Sequence, residues 1–456
     1  EPMELALLQH AKEAGIDVEA LRRQCPQLHE IPFDSVRKRM SSVHQMPQGT
    51  RMMVKGALEQ VLPRCDRQLA RAAKRILAFA DRREDGSFAE EQLVFLGFIA
   101  FIDPLREGVA ESVETARRAG IDVVMITGDH PMTALAIARE LQIAQGEDEV
   151  LSGAQLDALD ETSLRRQIRK VRVFARVTPS HKVRIVDAFK QSGAIVAMSG
   201  DGVNDAPSLK RADIGIAMGK NGSDVCRQAS DIILTDDRFE TIVDAVSEGR
   251  HLYMNIQKAV LYLLSCNLGE IMALFLAIAL LPSMPAPLAA VQILWVNLVT
   301  DAFPALALGV DPKEQDVMSK KPRPKKEGLF AHGMGLFTVL NGMYIGTVTL
   351  VAFRFGLQQD IAHAQTMAFM VLSMTQLFHS LNLHSLSRSL FHSHLMANRW
   401  LLLTFVFGIA LQILVCTLPL AQQLLHTVSL DLISWLVVVG LSASVIAINE
   451  FARLFR

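Results

Sequence analysis

The chain has 456 residues, half of them apolar, with 46 Lys and Arg against 47 Asp and Glu and a formal net charge of −1. That length accommodates two or three domains, and the balanced charge excludes a general electrostatic pull toward nucleic acid. The five cysteines (25, 65, 226, 266 and 416) are scattered and form no CxxC pair, which argues against a disulfide framework or thiolate metal site and fits a reducing cytoplasm for the soluble part.

Glu1-Pro2 carries no signal peptide and reads as the middle of a longer chain. Residues 1 to about 95 form a mixed, largely soluble stretch, with helical periodicity over Glu4 to Ala14 and again over Leu69 to Ala80. From about 96 to 240, apolar strands alternate with amphipathic helices. Strands are expected at Leu93 to Ile102, Asp122 to Thr127, Val171 to Ala175 and Ala194 to Ser199. Helices are expected at Val109 to Ala119, Thr133 to Leu141 and Lys182 to Gln191. This alternation predicts an α/β soluble part with a doubly wound parallel sheet, whose ligands lie beyond the carboxyl ends of the strands. Thr127-Gly128-Asp129 and the run from Gly200 to Asp205 fall at such ends.

Six apolar segments follow, at about 259–281, 288–309, 330–355, 364–384, 400–420 and 430–452, each near the roughly 20 residues that span a bilayer. The basic residues between and after them are Lys320 to Lys326, Arg388 with Arg399, and Arg453 with Arg456. The positive-inside rule puts all of them on the side of the soluble part, and an even number of spans returns the chain there. The expectation is a multi-pass membrane protein with cytoplasmic soluble domains.

An isolated Asp-Gly is ordinarily a solvated turn. In Gly200-Asp201-Gly202-Val203-Asn204-Asp205 it follows a buried strand and has a second carboxylate four residues on, a donor set suited to Mg²⁺. Thr127-Gly128-Asp129 offers a hydroxyl and backbone N–H groups to an anion near a helix N-terminus. Lys182 either decorates a helix surface or neutralises a transferring phosphoryl group. Within the apolar spans stand Asn267, Glu270, Asn297, Thr300 and Asp301. Positions 267 and 270 share a helix face, as do 297, 300 and 301. Polar glue between helices accounts for Asn and Thr but poorly for two carboxylates, which inside a membrane mark a functional site. Pro304 removes a donor and frees carbonyls nearby. Hard oxygen ligands without thiolate favour Ca²⁺ or Na⁺ over copper or zinc.

TGD, RVTPSHK and GDGVNDAP, in this order and spacing, resemble the phosphorylation domain of P-type ATPases. Asn267-Leu-Gly-Glu270 and Trp295 to Asp301 are similar to the calcium-pump branch. The resemblance covers essentially the whole chain. It implies part of an α+β nucleotide-binding domain over 1–95, a haloacid-dehalogenase-like phosphorylation domain over 96–240, and an α-helical membrane domain of six spans over 241–456. By the same resemblance Asp201 and Asp205 would hold Mg²⁺, with Asn204 supporting the phosphate site. Thr127 and Gly128 would contact the phosphoryl group, Lys182 would stabilise its charge, and Asp129, Asp103 and Arg106 would lie near the nucleotide. Ile31 to Met40 resembles the adenine pocket and Lys55-Gly56-Ala57 its KGA element. Phe33 would stack on the base, and Glu4, Lys38, Met40, Lys55, Gly56 and Arg75 would line the pocket. Ser35 stands where relatives often carry arginine, and Ser199 where they carry threonine.

The implied activity is ATP-driven transport of a cation, most readily Ca²⁺ with Mn²⁺ or Na⁺ as alternatives, through an aspartyl-phosphate cycle. The implied membrane is the cell membrane in a bacterium and otherwise a calcium-store or secretory membrane. No DKTGT motif occurs in the chain. As it stands the chain is expected to be incompetent alone and to partner the missing N-terminal part of the same pump. Two other readings compete: a membrane-anchored phosphatase of haloacid-dehalogenase type, and an inactive half-pump acting as an interaction module. Alignment on Ser380-Leu381-Asn382 puts Gln376 where two-ion pumps carry a glutamate, which implies one Ca²⁺ per cycle.

Overall fold

The computed structural model describes residues 2–34, 37–65, 75–83, 86, 89–101, 105–314, 317–325, 327–386, 389–390 and 395–453. The chain divides into two compact units, Glu1–Glu114 with Val123–Asp237, and Thr115–Asp122 with Arg238–Arg456.

The first unit opens with helices α1 (Pro2–Glu13) and α2 (Val18–Gln24), the latter capped by Asp17. Strands β1 (Gln27–Asp34), β2 (Arg39–Met46) and β3 (Gly49–Ala57), the short helix α3 (Leu58–Val61), and strands β4 (Arg75–Arg83) and β5 (Val94–Phe101) follow. The five strands form one antiparallel sheet in sequence order. Alternation places Met52 and Val54 of β3 in a core with Val43, Ala78, Ala80 and Leu93. The helix expected over Leu69 to Ala80 is corrected here: from Arg75 onward the chain is strand β4, and 66–74 lie outside the described residues. Its Ala, Leu and Arg residues favour a helix locally, but antiparallel pairing with both β3 and β5 takes up its backbone groups.

Glu90, in the segment before β5, is tied to the start of β2, accepting hydrogen bonds from Arg37, Arg39 and Ser41. Burial opposes its charge, but Ser41, Arg39 and the nearby Arg37 outweigh it and hold the carboxyl below its usual range. A depressed folded value stabilises above the unfolded pKa, about 4.3, and that stability is lost as pH falls through the folded value. Glu90→Gln should therefore weaken the sheet by about 1–2 kcal/mol at neutral pH. The difference should vanish in acid. Hydrogen exchange of the β2 and β3 amides in the intact chain measures this, and equal protection at neutral pH would refute it.

The rest of the unit alternates as its sequence pattern predicts. In order come α4 (Val109–Arg118), β6 (Met125–Ile126), α5 (Pro131–Glu140), β7 (Val150–Ser152), α6 (Gly153–Ala158), α7 (Glu161–Gln167) and β8 (Val173–Ala175). Then come α8 (Pro179–Gln191), β9 (Ala197–Gly200), α9 (Ala206–Arg211), β10 (Ile214–Met218), α10 (Asp224–Ala229) and β11 (Ile232–Leu234). The strands pair in parallel as two three-stranded sheets, β6-β8-β7 and β11-β10-β9, with β6 and β9 as edges. Ile126 of β6 packs against the cores of both.

The second unit is helical: α11 (Phe239–Leu280), α12 (Ala290–Trp295), a π-turn (Val296–Thr300), α13 (Ala302–Gly309), α14 (Met334–Gly356), α15 (Ile361–Leu383), α16 (Arg399–Thr417), α17 (Pro419–Leu425) and α18 (Leu432–Arg453). Among the described residues, five helices are long and apolar enough to cross a membrane: α11, α12 to α13 taken together, α14, α16 and α18. With 42 residues α11 is about 63 Å long at 1.5 Å per residue, far longer than the apolar run at its C-terminal end. It lies so close to α14 that a Cβ on Gly269 would stand 2.7 Å from Ile345 Cγ2.

The fourth expected span, 364–384, is the 23-residue helix α15, which is not among those five, so among the described residues the six-span expectation is corrected to five by length and composition. It carries Thr366, Ser373, Thr375, Gln376, His379, Ser380 and Asn382 and is the most completely buried helix of the bundle. Protein on all sides lets it tolerate polar groups that a lipid-facing helix would not. Ser373 and Thr375 donate back to the carbonyls of Phe369 and Val371 on their own helix.

Candidate functional site

In the first unit, GDGVNDAP leaves the end of β9 and enters α9. Gly202 N donates to Asp205 Oδ2 at 3.3 Å, and Asp205 N donates to Gly202 O at 2.8 Å. The close approach dictates glycine at 200, where a Cβ would stand 2.6 Å from Asp205 Cβ. Asp205 is buried and forms an ion pair with Lys182 of α8. Thr178 caps that helix, accepting from His181 N, with Pro179 in its first turn. Asp201 and Asn204 are exposed at the mouth, and Asp201 O accepts from Ser223 N at 2.9 Å.

The TGD turn follows β6. Thr127 Oγ1 donates to Asp129 Oδ2 and accepts from Asp129 N, each at 3.1 Å. Thr127 N is bound to Phe174 O at 2.9 Å, and Gly128 is exposed with open space around its Cα. Lys182 and Asp205 are thus brought into contact, while Thr127, Gly128 and Asp129 follow strand β6 of the other small sheet. Asp237 was not singled out by its sequence context. It is buried and receives the N–H groups of Gly219, Lys220 and Asn221 at 2.7–3.0 Å. Burial opposes its charge, but these three donors hold its carboxyl below the usual range.

On the antiparallel sheet, Lys55 of β3 pairs with Glu4 of α1, and that hydrogen bond holds the Glu4 carboxyl low. Met40, Ser42, Met53, Lys55, Phe79 and Leu96 line a groove there. Lys38 stands in the β1–β2 turn with φ of 50°, and its carbonyl accepts from Ala57 N next to Gly56. Phe33 is 62% exposed on β1 and does not line the groove. Arg106 is drawn elsewhere, donating to Asp237 O at 2.9 Å. Arg75 begins β4, its side chain lying outside the described residues, as does Asp103 altogether.

In the second unit, Glu270 of α11 and Asp301 after the π-turn are 5% and 1% exposed. Asp301 N bonds Val296 O, five residues back, at 2.9 Å. Pro304 cannot donate to the Thr300 carbonyl, which fits the widened turn just before it. Asn297 Nδ2 donates to Glu270 Oε2 at 2.8 Å, and Tyr262 donates to Asp301 Oδ1 at 3.2 Å. The other oxygen of each carboxylate is buried without a partner, as are both amide atoms of Gln376. Glu270, Asn297, Thr300, Asp301 and Gln376 are therefore gathered on α11, the π-turn and α15. Asn267 of α11 and Asn297 of the π-turn are both exposed, and Asn297 nonetheless reaches Glu270.

Tyr262, Gln412 and His379 also belong to this region, and sequence reasoning passed over them. Gln412 of α16 donates to Thr300 Oγ1 at 3.0 Å. His379 stacks between Tyr262 and Phe337 with neither ring nitrogen hydrogen-bonded. A signal was available for Tyr262. Lys258, Tyr262, Cys266 and Glu270 recur every fourth residue, and all four are buried.

Comparison with known proteins accords with this arrangement. A family model described as P-type ATPase, cytoplasmic domain N, matches residues 1–75, and one described as Cation transporting ATPase, C-terminus, matches 285–455. The chain is 42% identical to calcium-transporting ATPase 1 of Bacillus cereus, over 100% of this chain and 56% of that protein. It is 40% identical to the calcium-transporting ATPase of Bacillus subtilis, over 97% of this chain and 53% of the relative. With human calcium-transporting ATPase type 2C member 1 it shares 35% identity, over 99% of this chain and 51% of the relative. The chain spans about half the length of the curated relatives it matches, and these alignments extend over the residues that lie between the two family models. A sheet-containing part followed by a bundle of membrane-length helices, with these family models and relatives, thus places the chain as a multi-pass membrane protein that belongs to the P-type cation-transporting ATPases.

Proposed function

We propose that this chain is the C-terminal portion of an ATP-driven Ca²⁺ pump that works through an aspartyl-phosphate cycle. The observation that carries the transport reading is the pair of buried carboxylates, Glu270 and Asp301, each with one oxygen lacking a partner inside a membrane bundle. A membrane-anchored phosphatase has no use for such a pair. Hard, partly anionic oxygens suit a hard divalent cation.

In the soluble part, the donor chemistry fits Mg²⁺. Asp201 is exposed and Asp205, four residues on, is buried beside it, and both are hard carboxylate oxygens. Asp201 and Asp205 would hold the ion, which usually keeps water and phosphate as its other ligands and offsets their charge. Lys182, already paired with Asp205, is positioned to balance charge on a transferring phosphoryl group. The Thr127 hydroxyl and the open Gly128 backbone offer donors to the same group. The nucleophilic aspartate would come from a strand outside this chain. Among the described residues β6 and β9 each pair with a strand on one side only, which supports that reading, since a further parallel strand has backbone partners at either edge. ATP would lie in the groove beside Lys55 and Met40, which Phe33 does not line.

Two tests follow. The chain alone should bind ATP weakly and form no acid-stable, hydroxylamine-sensitive phosphoenzyme; label retained from γ-labelled ATP would contradict the division of labour proposed here. In the complete pump, equilibrium binding of radiolabelled calcium should give one ion per phosphorylation site, because Gln376 contributes no charge where a second site needs it. Gln376→Glu should then raise the number toward two. A stoichiometry of two in the unaltered pump would rule out the single-ion reading.

A further inference from the structure

We propose that Gln412 of α16 is an oxygen ligand of the transported divalent cation, completing its shell beside Thr300. The inference rests on the ion-site reading above and extends it to a helix that the sequence pattern did not implicate.

Gln412 is 1% exposed, its Nε2 donates to Thr300 Oγ1 at 3.0 Å, and its Oε1 is buried with no donor. A buried amide oxygen without a partner is costly, and native structures leave few of them. Buried amides elsewhere in this unit fall into two groups: Asn255 and Asn382 also keep an open oxygen while donating to backbone carbonyls, but neither is bonded to the Thr300–Asp301 cluster, and others are closed on both sides. Gln292 accepts from Ala289 N at 2.9 Å and donates to Leu425 O at 3.0 Å. Asn398 accepts from Leu401 N at 2.9 Å and donates to Ala307 O and Asp311. Gln412 is closed on one side only, and the open side is its oxygen.

The same condition recurs at Asp301, the residue after Thr300, and at Glu270 and Gln376. Glu270 Oε1, Asp301 Oδ2 and Gln376 Oε1 are likewise buried without donors. With Gln412 Oε1 they make four oxygens, carried by α11, the residue after the π-turn, α15 and α16, that await a positive partner. The bond from Gln412 occupies one acceptor position of the Thr300 hydroxyl and leaves the other for a cation. The amide oxygen shares a carbon with the donating nitrogen, so it is held beside Thr300 Oγ1. Two oxygens on one Ca²⁺ at 2.3–2.6 Å can stand as much as about 5 Å apart, so both can join one shell. Ca²⁺ takes about six to eight oxygens, and a shell without a third carboxylate gains most from a further neutral one.

The test uses the full-length pump that carries this chain, with radiolabelled calcium as the probe and the thermal midpoint in calcium-free detergent as the folding control. Gln412→Leu should weaken calcium binding by at least roughly ten- to a hundredfold, the loss already seen when only a partner of a metal ligand is removed. Gln412→Glu should tighten binding and steepen its pH dependence, because the added carboxylate must lose its proton before it can bind the ion. A helix-joining glutamine predicts neither the tightening nor the steeper pH profile. If both variants fold and bind with unaltered affinity and slope, the proposal is overturned. If the leucine variant does not fold, the glutamate variant decides: an unchanged affinity and slope overturns the proposal, and a tighter, steeper one upholds it. Asp301→Asn is measured alongside. Retained binding there would remove the ion-site reading itself, whereas lost binding there with unaltered Gln412 variants would remove only the role of Gln412.

Discussion

Asp301→Asn in the complete pump should lower calcium affinity by at least about a hundredfold, which takes binding out of the range of an equilibrium assay. The residue is 1% exposed, one carboxylate oxygen is bonded to Tyr262, and the other is open. Removing its charge leaves Glu270 as the one remaining carboxylate of the cluster, and affinity for Ca²⁺ follows ligand charge as well as number. The substitution keeps shape and one carbonyl oxygen, so Tyr262 retains its partner and the bundle should stay folded. An Asp301→Asn pump that folds and still binds calcium tightly would remove Asp301 from the ion site. Gln412, hydrogen-bonded to the adjacent Thr300, gives an independent handle on the same cluster.

Asp205→Asn should reduce phosphoenzyme formation by about two to three orders of magnitude, the scale on which a preorganised electrostatic contact acts. Two effects add. A carboxylate is withdrawn from the proposed Mg²⁺ site, and Lys182 loses the anion that fixes its ammonium. Lys182 is only partly buried, so its freed charge can reach water and the fold should survive. Calcium binding in the membrane unit should be unaffected, which separates this variant from Asp301→Asn. Phosphoenzyme at the normal level in a folded Asp205→Asn pump would exclude Asp205 from the metal site.

The sequence by itself determined the α/β alternation from Val109 to Leu234 and the membrane-length helices, whereas the strand expected at Leu93 to Ile102 joins the antiparallel sheet instead. It also determined which side chains in the spans were too polar to be there by accident. Each of these is a local property. Periods of two and 3.6 residues, a glycine beside an aspartate, or a carboxylate in an apolar run are visible within a short window. Only the tertiary structure decided the rest. It made Arg75–Arg83 a strand, because β3 and β5 are both in register to receive it. It stretched α11 to 42 residues and widened the turn before Asp301. It buried α15 so deeply that its Gln, His and Asn side chains persist at membrane depth. Most consequentially, it separated the polar residues that are already satisfied from those that are not. Asn267 and Glu270 look alike in the sequence, yet one is exposed and the other is buried with an open oxygen. Gln292 and Gln412 look alike as well, yet only Gln412 keeps a free carbonyl. Satisfaction depends on partners supplied by distant parts of the chain, as when α16 meets the π-turn, and no local pattern encodes which groups those contacts leave open for an ion.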